Sequence, residues 1–159
     1  MKTNAARYLD SLNISYELRD YALDTEDFSA IIVAEKIGLP PEQVFKTLLC
    51  VTSDKEHVFA VVPGNAELDF KKLAHAVGAR KADMVSLKDI QPLTGYIRGG
   101  VTVFGAKKNF PVYVDETVEL FDTVSVSAGI KGTQIVLSPA DYIRASQATV
   151  ADLTKGGPQ

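Results

Sequence analysis

The stretch "VFKTLLCV" at residues 44–51 is an apolar run of strand type that contains one lysine. Alternation along a strand places Lys46 on the same side as Leu48 and Cys50, and the other side chains on the opposite side. An ammonium group is seldom buried without a partner. By pattern alone, the favoured interpretation is a lysine whose stem lies on the sheet and whose head reaches water. The other interpretation is a cation that serves a ligand.

The elements around this strand predict an α+β fold. "SDKE" separates residues 44–51 from "HVFAVVP" at 57–63, so the two runs are expected to form a hairpin. Helices interleave with hairpins and do not alternate one to one with strands. This order predicts a mixed, barrel-like sheet surrounded by helices and excludes a doubly wound sheet. A chain of 159 residues fits one domain, expected over 1–154, with 155–159 as a flexible tail.

Periodicity and capping residues locate the individual elements. Asp69 and Gly78 fit the start and stop of one helix, and Ser29 and Ser138 are candidate N-caps of two others. Helices are predicted over 4–12, 28–38, 67–79, 86–95 and 138–146. Strands are predicted over 14–23, 44–51, 57–63, 80–86, 111–116, 123–129 and 134–138. Residues 95–105 are expected to be extended and glycine-rich.

Composition excludes several functional classes. With 46% hydrophobic and 23% charged residues, the chain has no apolar run near the ~20 residues that span a bilayer, so no membrane partner is expected. Because the N-terminus lacks an apolar stretch of signal-peptide type, a cytoplasmic location is expected. One cysteine and two histidines without metal-ligand spacing predict no metal, and no cofactor is expected. A net charge of −3 argues against tight unaided binding to a nucleic-acid backbone.

Two glycine-rich segments accompany Lys46 as candidates for chemistry. We call "RGGVTVFG" at 98–105 the first glycine loop and "SAGIKG" at 127–132 the second glycine loop. Bare backbone N–H groups in such segments can hold an oxyanion or a phosphate, although a barrel corner or a hairpin turn explains each segment alone. Cys50 lies mid-strand among leucines, which is typical of an inert buried thiol. Together, the lysine and the loops indicate a cleft for an anionic or carbonyl-bearing ligand.

In combination, five segments resemble the YbaK family of aminoacyl-tRNA deacylases. This family is related to the editing domain inserted in bacterial prolyl-tRNA synthetases. The lysine strand followed by T-G-Y-x-x-G-G is the specific part of the resemblance. The segments are "TNAARYLDSLNISYELRDY", "VFKTLL", "ELDFKKLAHAVGARKADM", "TGYIRGGVTVFGAKK" and "VSAGIKGTQIVL".

The resemblance implies post-transfer editing, which protects the fidelity of translation. The family hydrolyses the ester between a wrong amino acid and the 3′ adenosine of a tRNA. Its branch with this opening helix acts on Cys-tRNA(Pro), beside prolyl-tRNA synthetase, and the substrate's own thiol attacks the ester. Two alternatives stay open: an Ala- or Ser-tRNA deacylase of the same fold that uses water, and a non-catalytic module that binds aminoacyl-tRNA or the synthetase.

Carried over by position, the resemblance implies a catalytic set of Lys46, Gly99 and Gly100. Lys46 would fix the terminal nucleotide or the aminoacyl carbonyl, and N–H groups around the glycines would face the developing oxyanion. The implied substrate-binding residues are Tyr21, Phe28, Thr47, Thr102, Gly129 and Lys131. The sequence departs from the family at two places. Thr102-Val103 stands where Ser-Pro is frequent, and Lys131 stands where an arginine is usual, which removes a two-point phosphate contact.

Overall fold

The computed structural model describes residues 2–27 and 29–156, which form an α+β fold. This confirms the predicted class, and the described strands lie in two sheets with no closed barrel. The helices are α1 (Asn4–Ser11), α2 (Ala30–Ile37), α3 (Phe70–Val77), α4 (Leu87–Thr94) and α5 (Pro139–Ser146). The strands are β1 (Glu17–Asp20), β2 (Phe45–Thr52), β3 (His57–Pro63), β4 (Ala82–Met84), β5 (Val112–Asp115), β6 (Val124–Ser127), β7 (Thr133–Leu137) and β8 (Thr149–Ala151). Short 3₁₀ turns cover Pro41–Gln43 and Glu116–Leu120.

One sheet has five strands in the order β4-β2-β3-β5-β8, and the other has three in the order β1-β7-β6. The larger sheet is mixed, because β3–β5 and β5–β8 pair in parallel while the other pairs are antiparallel. The predicted hairpin of β2 and β3 is confirmed. Its turn is closed by the N–H of Thr52, which donates to the carbonyl of Glu56 at 2.8 Å.

Both faces of β2 are covered by core. Its sequence is therefore a nearly continuous apolar run, and does not alternate between apolar and polar residues as a half-exposed strand does. Phe45 and Leu49 lie in a core cluster shared with the three-stranded sheet. Cys50, on the other face, lies in a second cluster under α3, and Leu48 packs against it. Lys46 is therefore half-buried on a strand that has core on both sides.

Capping contacts confirm two predicted helix starts. The Asp69 carboxylate accepts hydrogen bonds from the N–H groups of Lys71 and Lys72 at the start of α3. The Ser138 hydroxyl accepts one from the N–H of Asp141 at 3.1 Å at the start of α5. Gly78 ends α3 in the left-handed region, with φ of +87°, which explains the glycine there.

Two local predictions differ from the structure. Ser29 stands at the N-cap position of α2 but its side chain makes no capping bond; instead, the Asp27 carboxylate accepts its N–H at 2.9 Å. Strand β8 was missed because three residues give no readable alternation. Its partner is β5, which is distant in sequence, so the pairing is a tertiary effect. Among the described residues, no helix combines the length and apolar character that a membrane span requires.

Tyr142→Phe is expected to stabilise the fold by about 1 kcal/mol, because it removes a polar group that burial strips of water. Tyr142 is 1% exposed, and its hydroxyl has no hydrogen-bond partner in the described chain. The ring packs edge-on against Phe104 and the substitution leaves that contact in place. Urea unfolding of both proteins measures the difference. A loss of stability would show that the hydroxyl does make a bond in solution.

Candidate functional site

A cavity of about 330 Å³ lies between β2 and the three-stranded sheet, with lining residues from both. Its walls come from α2, β2, β4, α4, the first glycine loop and the β6–β7 ribbon. Most of the lining side chains are apolar. Among the described lining residues, the charged ones are Lys46 and Arg98, both basic. The cavity therefore favours a small ligand that carries partial or full negative charge.

Lys46 enters this cavity from β2 with little fixed interaction. Its ammonium donates to the carbonyl of Gly64 across 3.4 Å, which is a long hydrogen bond. Burial lowers the pKa of Lys46 from its ordinary value, and the nearby carboxylate of Glu67 partly opposes that effect. Because the protein satisfies this cation poorly, its donors are available to a ligand.

Gly64 is placed by close packing that admits no side chain. A Cβ atom there would lie 2.6 Å from the Cβ of Ala30 and 2.9 Å from the carbonyl oxygen of Val44. The N–H of Gly64 donates to that same carbonyl at 2.7 Å. This tight approach seats the start of α2 against β2 and brings the Gly64 carbonyl to Lys46.

Thr47 presents backbone groups to the cavity along an unpaired edge of β2. The carbonyl of Val44 accepts from Gly64, which directly follows β3, whereas the carbonyl of Leu49 accepts from Val85 on the opposite edge. Antiparallel alternation therefore points the N–H and C=O of Thr47 to the edge used by Leu49. On that edge β4 pairs only from Cys50 onward, and β6 bridges only at Val44. No described strand pairs with Thr47 there.

The first glycine loop begins with a tight turn at the cavity wall. The N–H of Gly100 donates to the carbonyl of Ile97 at 2.9 Å, and Gly99 at the third position has φ of +90°. Such a turn requires glycine at that position. Gly99 lines the cavity, whereas Gly100 is buried and its N–H is engaged in the turn. Of the two predicted donors, Gly99 is the one positioned to meet a ligand.

The second glycine loop packs directly on the first. A Cβ on Gly100 would lie 3.2 Å from the Cα of Ile130, and one on Gly99 would lie 3.1 Å from Cε of Lys131. Gly129 has φ of +97°, and a Cβ there would come within 2.9 Å of the Tyr96 ring. The structure thus brings the two glycine loops together at one side of the cavity.

The T-G-Y part of the motif has a structural role. Gly95 ends α4 in the left-handed region, and the Thr94 hydroxyl donates to the carbonyl of Ile90 and accepts the N–H of Tyr96. The Tyr96 hydroxyl donates to the carbonyl of Phe104 at 2.6 Å. Tyr96 is thereby fixed as a buried support beneath both glycine loops.

The remaining predicted residues lie outside the described cavity lining. The N–H of Tyr21 donates to the carbonyl of Gly132, so Tyr21 adjoins the second glycine loop. Thr102 is 1% exposed and its hydroxyl accepts the N–H of Phe104 at 3.5 Å. Lys131 lies along Gly99 without lining the cavity. Phe28 lies outside the described residues.

Sequence reasoning missed several residues that line the cavity. Arg98 and Ser127 lie beside the predicted glycines, and Gln134 lies on β7. Gln134 is only 5% exposed although it sits within the apolar run "QIVL". A polar residue in a core strand is the same signal that singled out Lys46, and it would have found Gln134.

The profile of the aminoacyl-tRNA editing domain family matches residues 28–145. The chain belongs to this family. This confirms the family expected from the lysine strand and the glycine loops, and with it the expected enzyme class, aminoacyl-tRNA deacylase.

Two curated relatives of this editing domain differ in the substrates that their names specify. The chain is 41% identical to the Enterococcus faecalis protein named "Putative Cys-tRNA(Pro)/Cys-tRNA(Cys) deacylase EbsC", over 96% of this chain and 93% of the relative. It is 26% identical to the Escherichia coli K12 "Multifunctional Ser/Thr-tRNA deacylase ProXp-y", over 77% of this chain and 76% of that protein.

A solved structure confirms the fold of this editing domain. It is titled "Crystal structure of a putative trans-editing enzyme for prolyl tRNA synthetase" and superposes with a TM-score of 0.84 at 24% identity. The match covers 98% of this chain and 99% of that structure. At this identity the likeness supports the architecture alone.

Cys50 is expected to be chemically inert in the folded editing domain. It is fully buried, and burial together with nearby Asp83 raises the pKa of its thiol to about 12. Iodoacetamide at pH 8 should label the protein only after unfolding in urea, because the thiolate is the reactive form. Cys50→Ala should keep the wild-type deacylation rate. Labelling of the native protein, or a folded but inactive variant, would make Cys50 a candidate nucleophile.

Proposed function

We propose that this chain is a trans-editing deacylase that hydrolyses Cys-tRNA(Pro). The observation that carries the proposal is the meeting of Lys46, the open edge at Thr47 and the Gly99 turn in one small, mostly apolar cavity. The cavity lies near the lower end of the range of roughly 300–1,000 Å³ typical of small-ligand sites. It suits the aminoacyl end of a tRNA and leaves the tRNA body outside.

The 41% identity with EbsC, whose name specifies Cys-tRNA(Pro) and Cys-tRNA(Cys), supports cysteine as the amino acid of the substrate. Proline and cysteine are similar in size, and an apolar pocket separates such ligands by only about 1–3 kcal/mol. A synthetase pocket therefore admits the wrong amino acid, and a second site must remove it.

Residues 1–154 act in this proposal as a single editing domain beside prolyl-tRNA synthetase in the cytoplasm. The net charge of −3 supports a partner that contributes tRNA affinity, because phosphate neutralisation supplies much of the affinity for a nucleic-acid backbone. The synthetase would also present the mischarged tRNA(Pro) before release.

The proposed reaction uses the thiol of the substrate. Its sulfur attacks the ester carbonyl carbon, a C–S bond forms, and the C–O bond to the ribose breaks. The proton that leaves the thiol ends on the ribose oxygen, so the products are a cyclic thioester and tRNA with a free hydroxyl. No oxidant, reductant or protein nucleophile is required.

The protein positions the ester and stabilises charge. In this proposal Lys46 holds the carbonyl or the terminal nucleotide by charge, and the N–H groups of Gly99 and Thr47 donate to the developing oxyanion. Gly100 has a structural role, because its N–H closes the turn by donating to the carbonyl of Ile97. Tyr21, Gly129 and Lys131 support the wall through the second glycine loop.

A second candidate function is hydrolysis of Ser- or Ala-tRNA by water. The resemblance to ProXp-y, named as a Ser/Thr-tRNA deacylase, supports this second candidate function. A deacylation assay against Cys-, Ser-, Ala- and Pro-tRNA(Pro) and Cys-tRNA(Cys) separates the two. If the chain binds these aminoacyl-tRNAs tightly but cleaves none of them, it is a non-catalytic binding module.

Lys46→Ala is expected to lower kcat/KM for Cys-tRNA(Pro) at least about 100-fold, since it removes the charged group nearest the ester. Single-turnover deacylation measures the effect. Lys55→Ala is the matched control, because Lys55 is an exposed lysine in the turn of the same hairpin and should leave the rate unchanged. A wild-type rate in Lys46→Ala would disprove the assigned role.

The same assay across pH tests which form of Lys46 acts. Because burial lowers its pKa below the ordinary 10.5, the ammonium is lost as the pH rises through that lowered value. After subtraction of uncatalysed ester hydrolysis, the wild-type rate should fall on this alkaline limb. Lys46→Arg should move the limb to higher pH, because a guanidinium stays charged.

Removing the substrate thiol is expected to abolish catalysis. Ala-tRNA(Pro) offers the same ester without sulfur, and its cleavage should be at least about 100-fold slower than that of Cys-tRNA(Pro), because the effective concentration of an intramolecular nucleophile is lost. Equal rates on both substrates would show that water is the nucleophile and would favour the second candidate function.

A further inference from the structure

The β6–β7 ribbon has two chemically different faces. Val124, Val126, Ile135 and Leu137 point into the main core. The pairing register sets Ser127 opposite Gln134, and alternation places Ser125 on that same side. This second face is polar except for Val136, which lies opposite Ser125, and Ser127 and Gln134 line the cavity.

The carboxamide of Gln134 is held at one end and open at the other. The Ser125 hydroxyl, which is fully buried, donates to Oε1 of Gln134 at 2.7 Å. The Nε2 group makes no hydrogen bond with the described residues. Because Nε2 has no partner in the described part of the chain and yet is not among the fully buried atoms, it keeps some exposed surface. Gln134 as a whole is 5% exposed and lines the cavity.

We propose that Gln134, oriented by Ser125, is a specificity-determining residue that donates a hydrogen bond to the side-chain sulfur of the aminoacyl group. This inference rests on the proposed function and names what the β7 wall of the cavity recognises. An N–H₂ group cannot accept from the α-ammonium group of the substrate. Being neutral, it is also a weaker partner for phosphate than Lys46 and Arg98 on other walls.

The sulfur is the group that most needs a donor on this wall. When the thiol loses its proton to attack the ester, the thiolate lies in a cavity lined mostly by apolar side chains. A charge in such surroundings is costly without a hydrogen bond. Gln134 offers one without adding a second negative charge, as a carboxylate at this position would.

The test measures binding, so that it does not depend on turnover. Stable 3′-amide analogues of cysteinyl-adenosine and alanyl-adenosine are titrated by calorimetry against the full chain. The wild-type protein is expected to bind the cysteinyl analogue about fivefold to tenfold more tightly, the difference that one hydrogen bond gives. Gln134→Leu should remove this preference while binding of the alanyl analogue stays within about twofold.

Three further variants separate recognition from structural damage. Gln43→Leu is the matched control, because Gln43 donates to Thr123 outside the cavity and its loss should not change the preference. Ser125→Ala should reduce the preference partly, by freeing the carboxamide to rotate. Gln134→Glu should remove the preference, because it replaces the donor with an acceptor. Thermal unfolding of each variant checks that it is folded.

The outcomes distinguish this inference from the proposed function. Retention of the preference in Gln134→Leu, or an equal loss for both analogues, overturns the inference even if the wild-type protein cleaves Cys-tRNA(Pro). The same is true if wild-type protein binds both analogues equally. Failure of the wild-type protein to cleave Cys-tRNA(Pro) overturns the proposed function. A preference abolished by Gln134→Leu and kept by Gln43→Leu supports the inference.

Discussion

The site depends on the incomplete pairing of β2. Both faces of this strand are covered by core, yet one edge pairs with β4 only from Cys50 onward and with β6 only at Val44. Buried backbone groups normally find partners, so an open edge at Thr47 is unusual within a core strand. α2, β4 and α4 line the sides of this gap. The cavity is therefore a consequence of sheet topology, and the glycine loops complete its wall.

Lys46 occupies the point where this gap meets the second core cluster, and its energetics follow from that position. Burial lowers its pKa, so the charged form costs folding stability at neutral pH. That cost decreases as the pH rises through the lowered pKa and is gone above the ordinary value of 10.5. The fold retains a cation whose bond to Gly64 is long. A ligand with negative charge would raise the pKa of Lys46 again, because it favours the charged form of the lysine.

The sequence predicted the helices and the central hairpin because their signals are local. Asp69 and Gly78 mark α3 by themselves, and "SDKE" separates β2 from β3. The residue pattern indicated a cleft shared by Lys46 and the glycine loops, and only the resemblance assigned roles in it to Lys46, Thr47 and Gly99. The placement of Tyr21 and Thr102 outside the cavity lining depends on which way each backbone segment turns, and no local pattern encodes that direction. Gln134 could have been found as a polar residue in a core strand, but its pairing with Ser125 across two strands is tertiary and could not.

The two sheets contribute opposite chemistry to the one cavity. The five-stranded sheet supplies a cation and unpaired backbone groups from β2, which suit an ester carbonyl on its way to an oxyanion. The three-stranded sheet supplies a neutral carboxamide whose orientation is fixed by a buried hydroxyl. An apolar pocket alone separates amino acids of similar size by only about 1–3 kcal/mol. In the proposed function, a donor on the β7 wall adds selection by chemical type to selection by size, and it does so without a charge that would compete with Lys46 for the substrate.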